Sequence, residues 1–156
     1  MEKAFTVQEV NALIPKIAVI FDDISALNKR MEEINADIES LLTIWGDDLF
    51  DKENNDHAYY EAKVKERNAI VKQMHMKIDE IHETGAIVKD IKKGLVDFYS
   101  VVQHGLVFLC WRPCESEIMF WHSIESGYPG RRPLSELLEQ IGAPSASVAV
   151  PEVRSK

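Results

Sequence analysis

The longest hydrophobic pattern in the chain runs from Val10 to Trp45. Apolar side chains recur there at alternating spacings of three and four residues, which places them along one side of an α-helix. Pro15 lies within the stretch without shifting the phase, so we expect a bend there but no break. The pattern predicts one long helix that needs a partner along most of its length. Its apolar positions are Val10, Leu13, Ile17, Ile20, Ile24, Leu27, Met31, Ile34, Ile38, Leu41 and Trp45.

Polar residues mark the ends of this helix and of a second one. Thr6 and Glu9 have the spacing of a capping box, so the first helix is predicted to begin at Thr6. Residues 46–56 predict a solvated turn, because their acids lack the ligand spacing and central glycine of a calcium loop. A second helix is predicted from about residue 56 to 84, with Gly85 as its stop. Together, residues 6–84 predict an antiparallel helical hairpin, a coiled-coil arm.

The chain after Gly85 predicts β-structure. Its β-branched and aromatic runs are separated by glycine-containing or proline-containing turns, which is typical of a small antiparallel β-meander over residues 86–122. The second helix is shorter than the first, so it returns the chain to the N-terminal end of the first helix, where the meander is expected to pack. The four predicted strands are residues 86–91, 95–102, 106–112 and 117–122.

The C-terminal part predicts a short helix and a tail. Residues 123–142 form a loop followed by apolar positions at helical spacing, and Gly142 is the expected stop. Residues 143–156 lack a period and are predicted to be a disordered tail. The fold class is therefore α+β, with residues 1–142 as a single domain.

The turns suggest how the strands pair. A two-residue turn at His104 and Gly105 would set Asp97 opposite Arg112, and a hairpin at residues 113–116 would set Arg112 opposite Glu117. One face then packs on the helices, and the outer face carries this Asp-Arg-Glu row. The face on the helices is predicted to carry Val96, Phe98, Val102, Val107, Leu109, Trp111, Ile118, Phe120 and His122.

The charged row has two interpretations. It is an ion-pair ladder that fixes the register, or it belongs to a ligand or metal site under the loop of residues 127–133. In the second interpretation the cofactor is unknown, and a small ligand or a divalent metal would be bound. The candidate ligand-binding residues are Asp97, Arg112, Glu117, Trp121, Tyr128 and Arg131, and the candidate metal ligands are Glu115, Glu117 and His122.

The histidines have structural interpretations as well. His122 at the end of the apolar face is typical of a buried, hydrogen-bonded side chain, with Glu9 or Asn11 as the expected partner. A second histidine group has the helical spacing i, i+4, i+7, but no fourth ligand is evident, so a solvated helix flank is favoured over an ion site. This group is His75, Asp79 and His82.

The composition argues against several classes of binding partner. The 156 residues carry a net charge of −8, and the basic residues are interleaved with acids, which argues against nucleic acid. No apolar run reaches the roughly 18 residues of a membrane span, and the N-terminus lacks a signal-peptide apolar region. Cys110 and Cys114 are too close in sequence to brace a fold, so free thiols are expected. We therefore expect a cytoplasmic protein without nucleic-acid or membrane partners.

Motifs at both ends of residues 5–134 resemble a known family. The motif residues are Phe5, Thr6, Glu9, Asn11, Leu13, Pro15, Lys89, Asp90, Gly94, Leu95, Val96, Asp97, Phe98, Leu109, Cys110, Trp111, Arg112, Glu115, Glu117, Trp121, His122, Gly127, Gly130, Arg131, Pro133 and Leu134. In this pattern the chain is similar to the bacterial "domain of unknown function 2203" family. No activity is established for that family, so the resemblance implies none.

Two classes of function follow. The sequence shows no nucleophile with an adjacent base, no phosphate loop and no acid pair at catalytic spacing, so no catalytic residue is assigned. The favoured prediction is a non-catalytic, oligomeric scaffold protein, a homodimer in which Phe21, Leu42, Ile44 and Ile70 are covered in a four-helix bundle. The alternative is a small-molecule-binding or metal-binding domain, with enzymatic activity left open, that uses the outer sheet face and residues 127–133.

Overall fold

A computed structural model describes residues 3–103 and 105–141, with side chains described up to residue 137. The α+β class is confirmed within these residues. His104, the stop at Gly142 and the tail at 143–156 lie outside them. The helices are α1 (Val7–Trp45), α2 (His57–Glu83) and α3 (Leu134–Ile141), and the strands are β1 (Ile87–Asp90), β2 (Leu95–Val102), β3 (Gly105–Trp111), β4 (Phe120–Ser123) and β5 (Arg132–Pro133).

The chain divides into two compact units. The sheet unit comprises Met1–Phe21 and Asp79–Lys156, and the helical unit comprises Asp22–Ile78. Helix α1 therefore contributes its first part to the sheet unit and its remainder to the helical unit. Neither α1 nor any other helix in the described ranges is long and apolar enough to cross a membrane.

The predicted helix ends are confirmed. The Thr6 backbone N–H donates to Glu9 Oε1 and the Glu9 backbone N–H donates to Thr6 Oγ1, each at 3.1 Å, which is a reciprocal capping box. Pro15 lies inside α1 without ending it. Helix α2 stops before Gly85, whose φ of +97° lies in the left-handed region that favours glycine.

Ion pairs link the two helices of the helical unit. The residue number of one partner rises as that of the other falls, so the two segments run in opposite directions. Phe21 and Ile70 were predicted to be exposed beside the apolar stripe, and this was wrong: they are only 1% and 6% exposed, whereas Leu42 and Ile44 are exposed. The ion pairs are Asp23 with Lys77 at 3.2 Å, Arg30 with Glu66 at 2.7 Å and Asp37 with Lys63 at 3.2 Å.

The five strands form one antiparallel sheet in the order β1-β2-β3-β4-β5. Val102 lies opposite Gly105, so Asp97 lies opposite Cys110 and not opposite Arg112. The predicted register was wrong by two residues, because Val102 pairs with Gly105 and the prediction had paired Gln103 with Leu106. A shift of two residues leaves every side chain on its predicted face, so the faces of β2 and β3 are as expected.

The pairing of β3 with β4 contradicts the faces that the sequence predicted for β4. Cys110 lies opposite Phe120, which puts Phe120 and His122 on the face of Cys110 and turns Trp121 to the face of Leu109. The predicted faces of β4 were therefore inverted. The predicted Asp97-Arg112-Glu117 row was also wrong, because Arg112 and Glu117 lie outside the strands.

The inversion arises because residues 112–119 form a loop and not a tight hairpin. The Arg112 backbone N–H donates to Glu115 Oε1 at 2.8 Å, and the Glu115 backbone N–H donates back to the Arg112 carbonyl at 2.9 Å. Further along, the Ile118 backbone N–H donates to Asn11 Oδ1 of α1 at 2.7 Å. Arg112 and Ile118 make these contacts, and a four-residue hairpin would have placed both residues in the strands.

The other face of the sheet packs on the start of α1, as predicted. The rings of Phe5 and Phe98 meet edge-on at 5.4 Å between centroids, and those of Phe21 and Trp111 at 6.3 Å. Trp111 is fully buried, and its Nε1–H donates to the Glu115 carbonyl at 2.8 Å. This packing leaves the opposite face of the sheet to be covered by the loop that follows β4.

Replacing Trp111 by Ala should lower the free energy of unfolding by about 3–5 kcal/mol, because the change leaves a large cavity and an unpaired Glu115 carbonyl. Met119, which is 48% exposed, supplies the control, since Met119→Ala should cost less than about 1 kcal/mol. Urea unfolding followed by circular dichroism measures both. A loss below about 1 kcal/mol for Trp111→Ala would contradict the packing described here.

Candidate metal centre

Three buried side chains that can bind a metal converge on one face of the sheet. Asp97 of β2 lies directly opposite Cys110 of β3, and His122 of β4 lies diagonally from Cys110. Their exposed fractions are 2%, 1% and 3%, and one ligand atom from each lies within 4.8 Å of the others. The antiparallel register therefore brings a thiol, an imidazole and a carboxylate from three neighbouring strands to one point.

Both ring nitrogens of His122 have oxygen partners. Nδ1 lies 2.8 Å from the Ser123 carbonyl oxygen, and Nε2 lies 3.0 Å from Asp97 Oδ2. A carbonyl oxygen only accepts hydrogen bonds, so Nδ1 carries the proton and donates it. Among the described residues, the second carboxylate oxygen, Asp97 Oδ1, is buried without a hydrogen-bond partner. The cluster thus has a buried acceptor that none of these residues satisfies.

The environment favours the protonated form of His122. Burial by itself lowers the pKa of the imidazole. The hydrogen bonds to Asp97, to Cys110 and to the Ser123 carbonyl, together with the Asp97 charge, outweigh that effect and raise the pKa of His122 to about 10. Without a metal, the group is therefore an imidazolium ion paired with a buried carboxylate at neutral pH.

This arrangement does not suit a thiol nucleophile. A catalytic cysteine needs a base that can accept its proton. Here the Ser123 carbonyl and the Asp97 carboxylate accept hydrogen bonds from the two nitrogens of His122, so both nitrogens already carry protons and cannot take one from Cys110. The same hydrogen bond from Nδ1–H to a backbone carbonyl is the usual orienting contact of a histidine that binds a metal through its other nitrogen.

The loop after β4 covers the cluster and leaves a cavity of about 120 Å³ beside it. Gly127 enters the Tyr128–Gly130 turn with a φ of +62°, in the left-handed region that favours glycine. The turn brings Tyr128 over the cluster. Besides Asp97, Cys110 and His122, the cavity is lined by Lys89, Leu95, Phe108, Ile124, Gly127 and Tyr128.

Three of the predicted ligand-binding residues meet around Glu115. The Arg131 guanidinium pairs with the Glu115 carboxylate and donates to the Cys110 carbonyl at 3.3 Å. Arg112 Nη1 donates to the Tyr128 hydroxyl at 3.0 Å. Glu115 was predicted as a metal ligand, but in this structure its carboxylate is engaged by Arg131 and by the Arg112 backbone.

The remaining predicted residues lie elsewhere. Glu117 is exposed in the loop between β3 and β4, and Trp121 lies on the helix-packed face of the sheet. The expectation that His122 bonds Glu9 or Asn11 was wrong, because it bonds Asp97 and Ser123. In the part of the chain that the structure describes, only Asp97, Cys110 and His122 form a convergent group of metal-binding side chains, and His75, Asp79 and His82 do not.

Comparison with known proteins identifies a family without an activity. A model of the family described as "Uncharacterized conserved protein (DUF2203)" matches residues 3–134, a range that includes the whole metal cluster. Comparison with curated proteins and with solved structures gives no match. What the cluster does must therefore be argued from its own chemistry.

The buried ion pair predicts a pH dependence of stability for metal-free protein. Unfolded histidine has a pKa of 6.5 and the folded value is about 10, so the pair's contribution is complete below pH 6.5. It is lost as the pH rises from 6.5 to 10, because only the folded state still holds the proton. Urea unfolding in chelator should show this decline in the parent and a clearly smaller one in His122→Gln. Equal slopes in the two proteins would contradict the pair.

Proposed function

For this chain, which belongs to the uncharacterized conserved protein family DUF2203, we propose from the geometry that the sheet unit binds a divalent transition metal of the zinc class. The ligands are Asp97 Oδ, Cys110 Sγ and His122 Nε2. The observation that supports this most is their mutual approach within 4.8 Å in a buried site.

The distances fit a tetrahedral ion. Zinc–ligand bonds of about 2.0–2.3 Å place two ligand atoms of a tetrahedral site roughly 3.6 Å apart. Atoms within 4.8 Å of one another need to move by only about 1 Å, and Asp97 Oδ2, now 3.0 Å from His122 Nε2, would move apart from it by a smaller amount. Such a site leaves a fourth position for water or a ligand.

The charges of the three ligands also suit a divalent cation. A thiolate and a carboxylate together neutralise a divalent cation, whereas three neutral or three anionic ligands would leave a net charge in a buried site. Binding requires that Cys110 lose its thiol proton and His122 its Nε2 proton, while Nδ1–H stays on the Ser123 carbonyl. The thiolate must stay reduced, which agrees with a location in the cytoplasm, and we propose that location.

Cobalt titration tests the metal and the cysteine together. Protein stripped with chelator should bind one Co²⁺ per chain and develop the near-ultraviolet absorption of a thiolate–cobalt bond. Cys110→Ser should abolish that absorption and weaken Zn²⁺ binding by at least about 100-fold, since even loss of an outer partner costs about 10–100-fold.

Cys114 provides a matched control, because it is the other cysteine of the chain and is exposed. Cys114→Ser should keep the absorption and the affinity of the parent. Absence of the thiolate band in the parent, or its loss in Cys114→Ser with retention in Cys110→Ser, would contradict the proposed site.

A second proposal concerns the helical unit. The opposed ion-paired segments of α1 and α2 support a coiled-coil hairpin, and the exposed Leu42 and Ile44, at 38% and 70%, support a homodimer formed through this arm. The covering partner would be the same face of a second copy. In this proposal the protein is a scaffold that presents two sheet units.

Light scattering tests the dimer. At a protein concentration on the order of tens of micromolar, the parent protein should have twice the mass of one chain. Ile44→Glu should give a monomer, because it places a charge in the centre of the contact. A monomeric parent, or a dimer that is unchanged in Ile44→Glu, would contradict an interface at this position.

A further inference from the structure

We propose that the cavity beside Asp97, Cys110 and His122 binds a small oxyanion, a carboxylate or a phosphate, through Lys89 and Tyr128. The inference rests on the proposed metal site, because an oxygen of the anion would take the fourth position on the ion. It names the class of ligand that the sheet unit recognises.

The charges around the cavity support an anion. Asp97 is balanced by His122 and Glu115 by Arg131. Within the described ranges, Lys89, Lys93 and Arg112 have no carboxylate at ion-pair distance. Lys89 lines this cavity, and Lys93 and Arg112 lie near the ring of Tyr128, which also lines it, in a protein whose net charge is −8. An acidic protein that concentrates positive charge at one concave site attracts anions there.

The cations are held over aromatic rings that line the site. Lys89 Nζ lies 4.7 Å from the centroid of the Phe108 ring, and both residues line the cavity. Lys93 Nζ lies 5.6 Å and the Arg112 guanidinium 5.8 Å from the centroid of the Tyr128 ring. These contacts hold the charges close to two rings that line the cavity, without neutralising them.

Tyr128 is arranged to donate. Its hydroxyl oxygen accepts a hydrogen bond from Arg112 Nη1 at 3.0 Å, which leaves the hydroxyl proton to donate to a ligand. Arg112 Nε is buried without a hydrogen-bond partner among residues 3–103 and 105–141. An ammonium group and a phenol supported by a guanidinium supply charge-assisted hydrogen bonds to an oxyanion.

The volume limits the size of the ligand. A cavity of about 120 Å³ holds about four waters at ~30 Å³ each. Pockets for larger ligands are typically about 300–1,000 Å³. The cavity therefore fits an anion of about five non-hydrogen atoms, such as acetate or inorganic phosphate, and is too small to enclose a nucleotide.

Calorimetry with acetate and with inorganic phosphate tests the inference at constant ionic strength, on metal-free and on Zn²⁺-loaded protein. We expect saturable binding of one anion per chain, tighter in the loaded protein. The better probe identifies the ligand as a carboxylate or a phosphate. Lys89→Met should weaken binding at least about tenfold, the value of one charge-assisted hydrogen bond. Tyr128→Phe should weaken it to a smaller extent.

Lys72→Met is the matched control, because Lys72 is an exposed lysine of α2 and its loss changes the net charge equally. It should bind the anion as the parent does. No saturable binding of either anion to either form, or equal affinity in Lys89→Met and the parent, would overturn the inference. Should Zn²⁺ fail to bind, the metal proposal falls, and the Lys89 comparison in metal-free protein still decides the anion site.

Discussion

Pairing of Cys110 with Phe120 across β3 and β4 is the constraint on which the cluster depends. Side chains alternate between the faces of a strand, so a slip of one residue would turn His122 toward α1 and bring Trp121 over Asp97. Trp121 is 7% exposed on the helix-packed face, where an imidazole could not replace the apolar area it buries. Burial of Trp121 on its own face thus fixes the position of His122 on the opposite face.

The buried charges are difficult to explain by stability alone. A buried ion pair gains little over apolar side chains of the same volume, whereas loss of one partner typically costs about 3–5 kcal/mol. Asp97 also keeps one buried oxygen with no hydrogen-bond partner in the part of the chain that the structure describes. Unsatisfied buried groups of this kind are uncommon and often belong to functional sites. The ion pair alone does not explain why an unsatisfied oxygen and a thiol are buried beside it. A bound metal would use both of these groups.

The sequence pattern predicted the elements better than their pairing. The capping box at Thr6 and the stop at Gly85 are local signals, so the helix ends could be predicted from the residues themselves. The site required the β3–β4 register, which depends on Glu115 folding back on Arg112 and on Asn11 binding Ile118, a contact between residues far apart in sequence. Asp97 was predicted on the correct face of the sheet but opposite Arg112, and the structure pairs it with Cys110. His122 was predicted on the wrong face, because no local signal distinguishes a loop from a tight hairpin at residues 112–119.

X-ray absorption at the zinc edge of the loaded protein tests the metal site most directly. The account predicts one sulfur ligand at about 2.3 Å and nitrogen or oxygen ligands at about 2.0–2.2 Å. The sulfur contribution should be present in Cys114→Ser and absent in Cys110→Ser. A first shell of nitrogen and oxygen alone in the parent would contradict the convergence of Asp97, Cys110 and His122 on one ion.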